Sequence, residues 1–356
     1  MPEIRVDPLS GHKTILAGER STRPGGEPGC APPQPIDPER DPFAEGHEDR
    51  TPPELYALRP GGGPPDSPGW RVRVVPNLYP ALAPAGIAAP GSTDGGTADA
   101  GSAPVGSVDV GSVAQAPAPG RSAPSDLFAT APAVGAHEVI VNAPEPVLSL
   151  AELSPEQVAL AMETWRARMR EHSESPCVQL IVNERREAGA SLPHTHSQLY
   201  ALPFVPAEVA RERERAGAYA GRMNGQGLLE DLLAAEVRLR ERIVAIDGEA
   251  VLLAPFASRV PFQLMLVPRV PRARFEDEGP LGAALLHEGL SRLARRLGSS
   301  PPLNLWVRTA PLGAESFCWR IDIMPRLTHL AGLELSTGVN LNIVAPEHAA
   351  ARLREA

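Results

Sequence analysis

The chain has 356 residues with 34 Lys and Arg against 43 Asp and Glu, a formal net charge of −9, and 42% of it is hydrophobic, enough for a core without disulfide staples in one large domain or two of ordinary size. The negative balance counts against nonspecific nucleic-acid binding, which needs a basic face, and the absence of an apolar leader or of eighteen consecutive apolar residues counts against secretion and membrane spanning. Three scattered cysteines, Cys30, Cys177 and Cys318, argue against a disulfide framework or a Cys-x-x-Cys metal clip, so a cytoplasmic enzyme on a mixed scaffold is expected.

In chain order, residues 25–37 are rich in Pro and Gly and read as an irregular surface arm. The charged group Asp41, Glu45, His47 and Glu48 reads as a solvated loop rather than a metal cluster. Residues 83–125 are nearly all Ala, Gly, Pro, Ser, Thr, Val and Asp, with no aromatic and only Arg121 basic. Such a segment has no apolar burial to offset the entropy of ordering it, and a disordered insertion is predicted.

The pattern then sharpens. Residues 138–142 form a predicted strand, and Ser154-Pro-Glu-Gln157 reads as a capping box with Pro at the first helical position. The helix it opens places Val158, Met162, Trp165 and Met169 on one face, the expected core face. A strand over 177–183, with Cys177 as an inert buried thiol, leads through a loop to another strand over 194–201. The second half repeats the order, with strands at 262–268, 303–308 and 318–324 around a helix at 281–297. The expected fold is therefore α+β, with two tandem modules over residues 1–205 and 206–356, each an antiparallel sheet with packed helices. Charged runs at 211–215 and 238–242 read as exposed helix faces with i,i+4 pairs, and His137, His287, His329 and His348 read as structural.

Of nine histidines, only His194 and His196 sit one residue apart on a predicted strand, which sends both side chains to one face, and Gln198 continues that face. Before them, Gly189 allows close backbone approach and Ser191 offers a hydroxyl and an N–H to an anion. A neutral imidazole whose other ring N–H is held by an acceptor is a nucleophile toward phosphorus, and a Gln amide can donate to a phosphoryl oxygen. On spacing alone either histidine fits the part. The second half has Cys318, Arg320 and Asp322 in the corresponding places, so one active centre per chain is expected.

The segment 183–198, centred on Pro193-His194-Thr195-His196-Ser197-Gln198, resembles the active-site signature of the galactose-1-phosphate uridylyltransferase family, the transferase branch of the histidine-triad superfamily. Segments 4–11, 19–24, 73–81, 135–141, 255–259 and 325–334 resemble the family in the same order, which covers nearly the whole chain outside the insertion. The resemblance implies that His196 is the nucleophile, that the His194 backbone carbonyl orients it, and that Gln198 marks a transferase rather than a hydrolase. It implies nucleotide and phosphate contacts for Arg20, Arg23, Asn77, Asn183 and Ser191, and sugar recognition for Glu334, often across a homodimer interface. The implied substrates are a nucleotide sugar and a sugar phosphate: UDP-glucose gives UMP to His196, and galactose 1-phosphate then accepts it.

Relatives that transfer adenylyl groups from ADP-sugars or dinucleoside polyphosphates form a second reading, and an eroded nucleotide-binding relative a third. The zinc ligands usual in the family are replaced here, the two cysteines by Asp41 and Ala44 and a later histidine by Pro146, leaving His194. No metal or other cofactor is therefore expected.

Overall fold

The computed structural model describes residues 1–22, 29–84, 127–314 and 316–356. Arg23, residues 25–28 of the Pro-rich arm and residues 85–125 of the predicted insertion lie outside them. Strands β1 (Glu3–Val6) and β2 (Lys13–Leu16) pair antiparallel at the start of the chain. Next come β3 (Tyr56–Leu58), β4 (Val72–Pro76) and β5 (Ala136–Val141), then helix α1 (Pro155–Glu171) and strands β6 (Cys177–Glu184) and β7 (His196–Leu202). Helices α2 (Ala207–Arg222) and α3 (Leu228–Leu239) lead into β8 (Ile243–Ile246), β9 (Ala250–Leu253) and β10 (Leu264–Pro268). Helix α4 (Ala283–Leu297), β11 (Leu303–Arg308) and β12 (Arg320–Pro325) follow. The chain closes with α5 (Gly332–Thr337), β13 (Asn340–Asn342) and α6 (Pro346–Arg354).

The fold is α+β. Ten strands form one antiparallel sheet in the order β3-β4-β5-β7-β6-β11-β12-β10-β9-β8, and β13 joins β1 and β2 in a smaller sheet. Outward from the β6/β11 seam, the first half runs β6, β7, β5, β4, β3 and the second β11, β12, β10, β9, β8, the same order in each. The sheet continues unbroken across that seam, where Asn183 pairs with Asn304.

Helices α1 and α4 cover one face, because strand alternation sends Val178, Leu180, Val182 and Leu199 to the same side as Leu305 and Ile321. The helix stripe Val158, Met162, Trp165 and Met169 is fully buried against them. Each such side chain contributes about 1.5–3 kcal/mol by leaving water. The α1 cap differs in one respect from the sequence reading. The Ser154 hydroxyl accepts from Gln157 N–H at 3.2 Å, but the Gln157 side-chain oxygen accepts from the Arg71 guanidinium at 2.6 Å instead of from the cap N–H, while its amide donates to the carbonyls of Arg71 and Asn142. Only half of the box forms, and the other half ties α1 to the sheet edge. A second difference lies at Arg242: it is buried and paired with Glu236 at 3.0 Å and Glu347 at 2.6 Å, not part of an exposed face.

Glu184, the last residue of β6, is a buried carboxyl taking the Ser149 hydroxyl and Leu150 N–H, both at 2.7 Å. Burial outweighs those bonds and pushes its pKa up to about 7 from the ordinary 4.5. The folded state thus keeps a proton that the unfolded chain loses, so this stabilising term is complete below pH 4.5 and disappears as pH rises through 7. Glu184→Gln removes the titration, and the Ser149 hydroxyl can turn to accept from the new amide. The variant is expected to match the parent near pH 5 and to exceed it by about 2–3 kcal/mol at pH 8, at about 1.4 kcal/mol per unit. Urea unfolding in the two buffers checks this, and an equal difference at both pH values would show that the carboxyl does not titrate in the folded protein.

Candidate active site

β7 carries His196, Gln198 and Tyr200 on the face opposite α1, while Ser197 and Leu199 point into the helix-covered side. The strand begins at His196 rather than at residue 194, because the two preceding residues are held by tertiary contacts. The Thr195 N–H goes to the Val147 carbonyl at 2.8 Å, and both nitrogens of the buried His194 ring are engaged.

The His194 carbonyl lies 2.7 Å from His196 Nδ1. A carbonyl only accepts, so Nδ1 carries the hydrogen and the lone pair is on Nε2. Burial pulls the His196 pKa below the ordinary 6.5, against the opposing effect of the His194 carbonyl, and keeps the ring neutral at physiological pH. A neutral imidazole with a fixed tautomer is the form that attacks phosphorus.

Gln198 is positioned through a residue that the sequence reading treats as structural. The Ala81 N–H donates to His137 Nδ1 at 3.1 Å, which puts the ring hydrogen on Nε2, and that hydrogen goes to Gln198 Oε1 at 3.1 Å. The Tyr200 hydroxyl donates to the same oxygen at 2.9 Å, and its ring stacks on His137 at 4.1 Å. With its oxygen taken twice, Gln198 has N–H groups to offer a ligand. Asn77 lies close as well, but its Nδ2, 3.1 Å from His137 Nε2, meets another donor in this tautomer and makes no hydrogen bond to the ring. His137 is hidden in the sequence because the partner that gives it meaning is 61 residues away.

The loop between β6 and β7 is pinned from the second half of the sheet. Asn304 on β11 donates to Asn183 Oδ1 at 2.8 Å and to the Ala188 carbonyl at 2.7 Å. Gly189 caps the turn with φ of +94°, a left-handed conformation that side chains disfavour. Arg185 has φ of 69° without being glycine, and its guanidinium bonds to the carbonyls of Ala31 and Ser300 hold that strain in place. Ser191 follows on the exposed rim.

Two expected site residues lie away from this group. Arg20 lines a cleft with Ile15, Leu333, Leu341 and His348 beside the small sheet, and the Glu334 carboxylate takes its own helix N-terminus at Ala331 N–H, 3.0 Å away. Arg23 is outside the described residues. The loop carrying Asp41 corrects the solvated reading. Asp41 and Glu48 are buried, Glu48 accepting from Trp70 Nε1 at 2.7 Å and Asp41 Oδ2 meeting His194 Nδ1 at 2.6 Å.

These residues do not fit a zinc ion. Two ligands of a tetrahedral zinc stand about 3.4 Å apart, given bonds of about 2.0–2.2 Å, whereas Asp41 and His194 are in hydrogen-bond contact at 2.6 Å. Ala44 and Pro146 bring no donor side chain. Among the described residues, no three His, Cys, Asp or Glu side chains converge on a common point.

In the second half, β12 holds the place that β7 holds in the first. Arg320 there pairs with Asp322 at 2.9 Å and with Glu212 of α2 at 3.0 Å, all three buried. A cavity of about 290 Å³ opens next to this cluster, lined by Glu212, Leu228, Phe317 and Cys318 among others. None of the residues lining it belongs to the group around His196. Among the described residues no helix is long and apolar enough to cross a membrane.

Comparison with known proteins gives concordant matches. A family model described as galactose-1-phosphate uridyl transferase, N-terminal domain, matches residues 110–206. An ADP-glucose phosphorylase of Arabidopsis thaliana is 28% identical over 99% of this chain and 93% of its own length. A galactose-1-phosphate uridylyltransferase of Cryptococcus neoformans is 29% identical over 64% of this chain and 66% of its own length. Among solved structures, the Arabidopsis thaliana ADP-glucose phosphorylase with bound ADP-glucose superposes with a TM-score of 0.74 at 25% identity, covering 100% of this chain and 99% of that one.

Proposed function

We propose that the chain is a nucleotidyltransferase of the galactose-1-phosphate uridylyltransferase family, as its matches support, and that it transfers a nucleoside monophosphate from a nucleotide sugar through a covalent adduct on His196, with an ADP-sugar as the favoured donor. The observation that carries the transfer is the His196 ring itself: neutral, with Nδ1–H bound to the His194 carbonyl and the Nε2 lone pair free of that bond. In the first half-reaction Nε2 attacks the α-phosphorus, an N–P bond forms, and the P–O bond to the hexose 1-phosphate breaks, releasing it. In the second, a phosphate oxygen of the acceptor attacks the same phosphorus and displaces the imidazole. Gln198 donates to a non-bridging oxygen as charge builds there, and Asn77, Asn183, Gly189 and Ser191 line the nucleotide and phosphate path.

The choice of ADP-sugar follows the relative that matches over nearly the full chain. The reading with UDP-glucose as donor and galactose 1-phosphate as acceptor is favoured by the family model over the first half and by the partly matching uridylyltransferases. Under either reading Arg20, which lines the cleft beside the small sheet, and Glu334, which caps its own helix, are proposed to serve the site of a second copy in a homodimer. The two donors separate in one experiment. Intact-protein mass after brief incubation with ADP-glucose is expected to show an added AMP. An added UMP from UDP-glucose alone would keep His196 and replace the donor, and no adduct from either would refute the transfer.

A further inference from the structure

We infer that Asp41 is a positioning residue for this reaction, acting through His194 to hold the carbonyl that aims His196. The inference rests on the proposed role of His196, but the geometry behind it is independent of the nucleotide. The Asp41 and His194 side chains are both without solvent exposure, in contact at 2.6 Å. The second His194 nitrogen lies 2.9 Å from the Ala143 carbonyl. A carbonyl accepts only, so Nε2 carries a hydrogen, and the proton on the other side is held between Nδ1 and the carboxylate. The ring is thereby clamped at both ends. The other Asp41 oxygen accepts from the Phe43 N–H at 3.0 Å, and its backbone carbonyl takes His47 Nδ1 at 2.7 Å, so the loop folds around the carboxylate. Phe43 in turn meets both histidine rings edge-on, with centroids 6.2 Å from His194 and 5.2 Å from His196.

What this clamp positions is the 194–195 peptide. Its carbonyl is the acceptor for His196 Nδ1, and the neighbouring tethers, Thr195 N–H to Val147 and Asn142 N–H to the Thr195 carbonyl, the latter at 3.3 Å, do not fix the His194 ring. Releasing the ring frees the peptide to rotate and the His196 ring to adopt its other tautomer. Because Asp41 and His194 touch directly, the bracing is done by a carboxylate–imidazole pair and needs no metal ion.

Asp41→Asn keeps the size and an acceptor while removing the charge. Folding is followed by thermal unfolding, and the His196 tautomer by nitrogen-15 spectra of histidine-labelled protein. The wild type is expected to show one tautomer, hydrogen on Nδ1, and to contain no stoichiometric zinc. The folded variant is expected to show mixed tautomers and to form the His196 adduct about 10- to 100-fold more slowly, the usual effect of losing a partner that orients a functional imidazole, with KM for the nucleotide sugar little changed. A merely structural contact would not change the tautomer. A folded variant with a single tautomer and the parent adduct rate would overturn the inference, as would stoichiometric zinc in the wild type whose removal mixes the tautomers. If the variant does not fold, the zinc content and tautomer of the chelator-treated wild type still decide. Should the wild type form no adduct at all, the proposed function fails while the tautomer measurement continues to test Asp41.

Discussion

His196→Asn is expected to reduce nucleotidyl transfer by about four to six orders of magnitude, the scale on which enzymes lose rate when a covalent nucleophile is removed, and to abolish the protein-bound nucleotide in the mass spectrum. Asn keeps a polar side chain in the pocket, so nucleotide-sugar binding by calorimetry is expected to remain within a few-fold. In the parent protein the pH dependence has a definite sign. The reactive form is the neutral ring, and burial holds the His196 pKa below 6.5, so adduct formation is expected to fall on the acid side with a midpoint below 6.5. Quenched single turnovers at a series of pH values measure this directly. A midpoint above 7 would mean that the ring is mostly charged at neutral pH and would overturn the neutral-nucleophile assignment.

His194 and His196 are legible in the amino-acid sequence because strand periodicity is local: two residues apart means one face, and Gln198 extends it. The same locality makes β6, β11, α1 and the repeated strand order readable, since each depends on apolar spacing within a dozen residues. Asp41 and His137 are named in the sequence without their roles for the opposite reason. Asp41 meets a partner 153 positions away and His137 one 61 positions away, and neither separation leaves a trace in composition or periodicity. In the charged stretch 41–48 a solvated loop is the ordinary outcome, and only tertiary packing distinguishes Asp41 and Glu48 from exposed Glu45. The start of β7 is equally illegible, because side-chain bonds at His194 take over where the ladder ends.

Arg320→Met is expected to cost about 3–5 kcal/mol, the scale for removing one member of a buried ion pair. The reason lies in what remains. Asp322 and Glu212 share this guanidinium and both are buried. Burial raises the Asp322 pKa, and Arg320 is the main influence opposing it; Glu212, which Arg308 also approaches at 3.4 Å, is held below the ordinary carboxylate range despite burial. Without Arg320, Asp322 therefore takes up a proton before Glu212 does, and the loss is expected to be smaller at pH 4.5 than at pH 7, where uncompensated charge is greatest. Urea unfolding at the two pH values measures it. Replacing all three residues, as Glu212→Leu, Arg320→Met and Asp322→Leu together, is expected to recover only part of that loss, because Arg308 and Arg259 then lose the carboxylates that face them. A cost below about 1 kcal/mol for Arg320→Met alone would mean that water from the adjoining cavity already solvates the carboxylates. Since β12 stands in the second half where β7 stands in the first, the His196 adduct forming at the parent rate in the triple variant would assign the charged residues of β12 to holding the sheet and those of β7 to the chemistry.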